Sequence, residues 1–366
     1  MYMRTEILKI IEGGLEKNRD KVQSYALLFS EKLREEGEDK FADRIKKIID
    51  KKSVHPVYLD EFLSKPVDQD SRLDMVDVAI ESNNHKKIVL PEITKVKVDN
   101  YIESLKHRSK FIELGINLPE SLLLYGPPGC GKTSIAHYIA QQTQLPLVTA
   151  KLDGLVSSLL GSTAKNIRKI FEYANERPCI LFLDEFDAIA KARNDEHEVG
   201  ELKRVVNSLL QNIDTFNENN ILIAATNHEK LLDPAVWRRF TTIVEVPKPR
   251  EAEIVELIKL YLETVKYDFD KDRKKMNTLA ELLLGFNASD IKTLCFNSIK
   301  KSIISEEKQL TYATVLYQIY LHKGFKEDEI TLVSFLNTNG VSQSDISKIL
   351  GLSRRQIRKV LDDQGE

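Results

Sequence analysis

The sequence predicts an α/β protein: a parallel sheet flanked by helices, followed by a helical lid, with small all-α modules at both ends of the chain. Three observations predict it. Four apolar runs, SLLLY (Ser121 to Tyr125), LPLVTAKL, Ile180 to Leu183 and NILIAATN, alternate with stretches of helical spacing, as parallel sheets require. The first run passes straight into a glycine-rich turn, GPPGCGKT, that opens a helix. From Glu251 to about His322 the apolar residues recur at helical spacing alone, in EAEIVELIKLYLETV and TYATVLYQIYL, and close a lid. These patterns divide the chain into residues 1–52 (helical module), 53–87 (linker with Pro56 and Pro66), 88–249 (α/β part), 250–325 (lid) and 326–366 (tail).

The turn after the first strand carries the first chemistry. A Gly-x-x-x-x-Gly-Lys-Thr segment at a strand end is a phosphate loop (P-loop), whose backbone N–H groups close around a triphosphate. Gly126, Pro127, Pro128, Gly129, Cys130, Gly131, Lys132, Thr133 and Ser134 therefore form the expected ATP cradle. Lys132 reaches toward the β- and γ-phosphates, the Thr133 hydroxyl holds Mg²⁺, and the helix running on to Gln142 aims its positive end at the anion. Taken alone, the same letters also fit a bare Gly/Pro turn.

The later strands deliver the remaining groups. The strand in CILFLDEFDAIA leaves Asp184 and Glu185 at the carboxyl edge of the sheet, where such folds keep their ligands. Asp184 is expected on Mg²⁺, and Glu185 polarises the water that attacks the γ-phosphate. NILIAATN ends in Asn227, placed to orient that water or sense the γ-phosphate; a turn-starting Asn is the plain alternative. LLDPAVWRRF then presents Arg238 and Arg239, either of which can stabilise charge on a transferring phosphoryl group, in ring-shaped motors from a neighbouring subunit.

Composition excludes several classes. With 54 basic and 56 acidic residues the net charge is −2, so any nucleic-acid contact must be local. Cys130, Cys179 and Cys295 have no paired spacing, which fits a reducing cytosol and packing roles, although modification of Cys130 can block the loop it sits in. No apolar run is long enough to span a membrane, and the amino end lacks a signal peptide's core, so a soluble, cytoplasmic protein is expected. Residues 5–52 show helical spacing (Ile7, Ile10, Ile11, Leu15; Val22, Tyr25, Ala26, Phe29; Phe41, Ile45, Ile48), read as an adaptor module or simply as a cap.

From about Leu90 to Leu321 the chain resembles the AAA+ ATPases, within them the AAA clade of FtsH-type, katanin-type and spastin-type machines. The resemblance rests on GPPGCGKT, LFLDEFDAI, ATN, LDPA followed by RRF, and GFNASDIKTLC. It implies Mg²⁺-dependent ATP hydrolysis, a homo-oligomeric ring of six, and pulling of a polymer through a central pore. Several positions depart from the family pattern. Leu159, Leu160 and Gly161 stand where the clade presents an aromatic, an apolar residue and Gly to the pore; Leu159 grips by apolar contact only. The arginine segment is shortened, and Arg239 matches it better than Arg238. Ala288 and Ser289 replace the usual Gly and Ala, so no arginine sensor is expected from that helix. No Gly-containing adenine motif is visible near Val89 to Glu92.

The tail, VSQSDISKILGLSRRQIRKVLDD, reads as two helices about a turn at Gly351, with Ser353 capping the second. Ile346, Leu350, Leu352, Ile357 and Val360 fall inward, and Arg354, Arg355, Arg358 and Lys359 outward. It resembles helix-turn-helix DNA-binding motifs, with Ser347 where Ala is usual. The outward cations either meet DNA or are a solvated face of a pair used for protein contact.

The expected function is therefore that of a ring-forming ATPase remodelling or translocating a macromolecule, taken as protein, for a separate effector such as a peptidase. The chain carries no HExxH or GxSxG signature of its own. The alternatives are a DNA-bound, ATP-dependent switch or loader working through the tail, and a nucleotide-dependent scaffold.

Overall fold

The structure, a computed structural model, describes residues 25–26, 28–30, 32–34, 38–51, 65–66, 74–80, 87–116, 120–152, 160–187, 199–216, 220–324 and 328–362. It divides into two compact units, residues 1–65 and 66–366. In the first, α1 (Asp39–Lys51) buries Ala42, and Arg34 pairs with Asp43 at 2.6 Å. Phe41, expected inward, is exposed, Ile45 is half-buried, and the side chain of Ile48 lies outside those described. Residues 1–24 of the predicted helical module lie outside the described residues.

The second unit is built on six strands: β1 (Val76–Ala79), β2 (Ser121–Tyr125), β3 (Leu147–Lys151), β4 (Ile180–Asp184), β5 (Ile221–Thr226) and β6 (Thr242–Glu245). Their order is β1-β3-β4-β5-β2-β6, and every pair is parallel except β1 with β3. The apolar runs behave as a two-sided sheet demands, with β5 buried along its whole length and β2 and β4 buried up to their last residue. On one face α2 (Glu92–Lys106) and α4 (Lys132–Thr143) share a core with the sheet through Val98, Ile102, Ile135 and Ile139. After α2 come α3 (Arg108–Glu113), then α5 (Leu160–Asn175) and α6 (Val199–Asp214), which pack on each other, and the short α7 (Pro234–Trp237) capped by Asp233.

Strand β1 falls in the stretch expected to be a linker. It extends the sheet by antiparallel pairing, Val76 opposite Ala150 and Ala79 opposite Leu147, with Val76 buried and Asp77 exposed. Four residues of edge strand carry too little periodicity to be recognised locally.

Beyond the sheet lie α8 (Glu251–Tyr261), α9 (Arg273–Leu282), α10 (Ala288–Ile304) and α11 (Tyr312–His322), then α12 (Glu329–Thr338), α13 (Gln343–Leu350) and α14 (Arg354–Asp362). The core does not break near residue 325. Ile254, Leu257, Leu279, Ile291, Leu316 and Ile319 of the lid belong to the same buried cluster as Val333, Leu336, Val341, Ile346 and Ile357 of the tail. Polar ties reinforce it: the Tyr312 hydroxyl donates to the Asn339 carbonyl at 3.1 Å, and the Tyr320 and Thr331 hydroxyls lie 2.6 Å apart.

The two tail helices form as the sequence predicts. Ser342 caps α13, Gly351 ends it at φ 71°, and Ser353 and Gln356 close α14 reciprocally. Ser347 stands in for the usual Ala because its hydroxyl donates to the Leu352 carbonyl at 2.5 Å, tying the turn shut. Among the described residues, no helix is long and apolar enough to cross a membrane.

A shared core means that tail and lid melt together. Ile346→Ala should cost about 2–5 kcal/mol and lower amide protection in α10 and α11 as well as in α13, read by hydrogen exchange. Reduced protection confined to α13 and α14 would show two separate cores.

Candidate active site

Backbone conformation fixes the phosphate loop before any side chain acts. Gly126 has φ 143°, and a Cβ there would stand 2.3 Å from the Val246 carbonyl oxygen, so the loop seats against the end of β6 only as glycine. At Gly129, with φ 72°, a Cβ would meet Asn287 Oδ1 at 2.6 Å. Asn287 caps α10 by accepting from the Asp290 N–H at 2.8 Å, and the Ser289 N–H donates to the Gly129 carbonyl at 3.0 Å. The lid helix therefore begins directly on the loop.

Lys132 opens α4 and is buried, its ammonium donating to the carbonyls of Gly126 at 2.8 Å and Pro127 at 2.9 Å. Burial pushes its pKa down, while Cys130, Asp184, Asp187 and Glu229 oppose that shift. Two neutral acceptors in a desolvated site make a poor home for a cation, and phosphate oxygens in their place satisfy it better. Thr133 donates to Asp184 Oδ2 at 3.1 Å, bringing a hydroxyl and a carboxylate oxygen from α4 and β4 together. Two hard oxygens together beside the loop are donors of the kind that would hold Mg²⁺. Ser134 is exposed beside them.

Glu185 is exposed, and its backbone is left-handed at φ 54°, a conformation costing about 1–3 kcal/mol for a residue with a Cβ. Its neighbours hold it there. The Glu185 N–H donates to Asp184 Oδ1 at 2.9 Å, and the Phe186 N–H donates to the Ala225 carbonyl at 2.9 Å. Phe186 is buried, edge-on to Phe240.

The residue after Phe186 lies within LFLDEFDAI but has no role assigned from the sequence. Asp187, 3% exposed, accepts the Asn227 N–H at 3.1 Å and the Thr226 hydroxyl at 3.3 Å through Oδ1. The Thr226 hydroxyl in turn accepts the His228 N–H at 3.1 Å. Asp187 thus staples the turn after β4 to the end of β5 and sets where Asn227 stands relative to Glu185. A signal was present, since an acid inside FDAIA is costly to bury without partners.

The two arginines separate. Arg239 is held within its own chain, bidentate to Asp214 at 2.8 and 3.0 Å and donating to the Ala235 carbonyl at 2.7 Å. Arg238, at the end of α7, is exposed and without a partner among the described residues. Leu159 lies outside the described residues; Leu160 and Gly161 begin α5. Arg354, Arg355, Arg358 and Lys359 are exposed on α14, in a different part of the unit from the phosphate loop.

A cavity of about 660 Å³ adjoins the loop, lined among others by Ile88, Val89, Leu90, Tyr138, Tyr261 and Lys292. Although no adenine motif is visible in the sequence, an apolar wall suited to a base is present, from the segment before α2 together with α4 and α8. Cys130 also borders it; all three cysteines are buried, and burial pushes their thiols up, Cys179 and Cys295 to about 12.

Loop, lysine, hydroxyl–carboxylate pair and poised glutamate define a triphosphate-hydrolysing site of the P-loop class. Residues 122–248 match the ATPase family associated with various cellular activities (AAA). The chain is 40% identical over 237 residues to a Sinorhizobium fredii protein called uncharacterized AAA family ATPase y4kL, covering 65% of this chain and 70% of that one. It is 39% identical over 192 residues to proteasome-activating nucleotidase 1 of Haloferax volcanii, covering 50% of this chain and 47% of the nucleotidase. With the proteasome-activating nucleotidase of Saccharolobus islandicus it shares 35% identity over 214 residues, 57% of this chain and 54% of the relative. It thus spans about half the length of these nucleotidases. The chain belongs to the AAA family of ATPases, and its reaction class is ATP hydrolysis.

Asp187 is buried and its Oδ1 is engaged by Asn227 and Thr226, so its role is to position Asn227. Asp187→Ala should lower kcat by up to about 100-fold, the scale of an ångström's misplacement, while ATP affinity measured by a fluorescent analogue stays near that of the parent. A parallel fall in affinity and turnover would show a merely structural role.

Proposed function

We propose that this protein is an Mg²⁺-dependent ATPase that works in the cytoplasm as a homo-oligomeric ring, a hexamer, and uses the ATP cycle to remodel or pull a protein, delivering it to a separate effector such as a peptidase. The observation that supports the reading is the contact between Thr133 and Asp184 beside the buried Lys132, which brings together the groups proposed to hold metal and phosphate. The names of the nucleotidase relatives supply the protein-handling side.

Within the chain, Lys132 moves from its two carbonyls to the β- and γ-phosphates, and Thr133 and Asp184 hold the metal. Bound Mg²⁺ offsets charge on the phosphate oxygens. Glu185 takes the proton of the attacking water, which Asn227, fixed through Asp187, orients. The exposed Arg238 reaches a neighbour's phosphates, and Arg239 does so once released from Asp214. Leu159, Leu160 and Gly161 supply the pore grip.

Glu185→Gln should leave ATP binding intact and cut turnover by about 10²–10⁴-fold, and unfolded polypeptide should stimulate the parent enzyme. Arg238→Ala should also be nearly inactive alone. Mixing the two variants should restore activity, because a Glu185-bearing subunit then receives its arginine from the other. Mixing without recovery would rule out Arg238 as an arginine supplied between subunits.

A second reading, duplex DNA on the tail, is favoured by one observation. Arg354, Arg355, Arg358 and Lys359 are exposed together on the single helix α14, a local cluster of cations in a chain of net charge −2. Replacing Arg354 and Arg355 by Ala should weaken duplex binding and lower its salt slope by about 0.9 for each phosphate that is no longer neutralised. An unchanged slope would count against the reading.

A further inference from the structure

Two joints connect the nucleotide loop to the basic helix α14, and they differ in kind. The joint between lid and tail is buried and apolar: Val333, Leu336, Val341, Ile346 and Ile357 sit in one cluster with Ile254, Leu257, Leu316 and Ile319. The Tyr312 hydroxyl crosses it to the Asn339 carbonyl, and the Tyr312 N–H is itself held by Asp268 at 2.8 Å. Interdigitated side chains of this kind have one packed arrangement and resist gradual deformation.

The joint between lid and loop is mainly polar, with Val89 of the segment before α2 as an apolar contact on the lid core. Ser289 N–H to the Gly129 carbonyl, Asn287 against Gly129, Lys248 to the Gly285 carbonyl at 2.6 Å, and Lys87 with Glu263 at 2.9 Å are contacts that water or phosphate can replace. Nucleotide enters at this second joint, since Gly129, Ser289 and Glu263 all border the cavity beside the loop.

At the far end, α14 buries Ile357 and half-buries Val360 and Leu361. Arg354, Arg358, Arg355 and Lys359 then occupy an outward arc of roughly 140° at about 100° per residue, with the exposed Asp362 also within it. Of these four, only the Arg358 guanidinium has a near neighbour among the described residues, Gln343 Oε1 at 3.4 Å. Four cations against the one carboxylate of Asp362 leave this helix face net positive, which matches a duplex phosphate backbone in sign.

We infer that lid and tail move as one lever, so that duplex DNA held on the basic face of α14 and nucleotide held at Gly129 change each other's affinity. This rests on the DNA reading above. When nucleotide resets the polar joint, the apolar joint carries α14 with the lid and alters how its cations face the duplex. By linkage the two ligands must then shift one another by the same factor.

The test uses the full-length Glu185→Gln protein, which is expected to hold ATP without turning it over, with a labelled random duplex read by fluorescence anisotropy. Binding is measured nucleotide-free, with ADP and with ATP, and mass is measured in each state because assembly alone multiplies tails. The expected result is a change in duplex affinity of about fivefold or more between nucleotide states of equal mass. The duplex should shift the affinity of a fluorescent ATP analogue by the same factor. Replacing Arg354 and Arg355 by Ala should remove both shifts and leave nucleotide affinity without DNA unchanged.

Duplex binding of equal strength in every nucleotide state, or a shift found only where mass changes, overturns the lever and leaves the DNA reading standing. No duplex binding in any state overturns both. Binding of poly-glutamate in place of the duplex overturns both in favour of an acidic protein partner.

Discussion

The site depends on the register of three neighbouring parallel strands. Leu183 of β4 pairs with Ala224 of β5, and Tyr125 of β2 pairs with Thr226 of β5, so the phosphate loop, the two carboxylates and Asn227 leave the sheet at one level. Side chains alternate across a strand, so a slip of one residue in β4 would send Asp184 to the other face and put Glu185 in its place. The continuous burial of these strands forbids the slip, and Asp187 locks the last step by binding β5. A packed core and a catalytic geometry are here one constraint.

Because the site is assembled at that edge, most of it could be read locally. The GPPGCGKT requirements lie within a few residues: a glycine where the chain turns left-handed, a lysine and a threonine at a helix start. The parallel sheet was likewise legible from its four apolar runs, and the tail's caps from single letters such as Ser342, Gly351 and Ser353.

What was hidden depends on residues far apart in sequence. Nothing near Arg239 announces that Asp214, 25 residues earlier, will hold it, and nothing near Asp187 announces Asn227, 40 residues later. The cavity beside the loop borrows from the segment before α2, from α4 and from two lid helices, so no short motif could mark it. Ser347 shows the reverse: a departure from the usual Ala becomes a bond to Leu352 once the turn is formed. The common core of lid and tail was missed for the same reason as the cavity, since apolar stripes reveal that a helix is buried but not against which partner.

The backbone of Glu185 has a consequence for anyone improving this protein by selection. Glycine, and to a lesser degree asparagine, adopts φ near 54° with little strain. A library screened for heat resistance alone should therefore gather replacements at this position that relax the turn and discard the carboxylate. The chain retains a strained backbone at the residue proposed as its general base, and under that proposal robustness and turnover pull Glu185 in opposite directions.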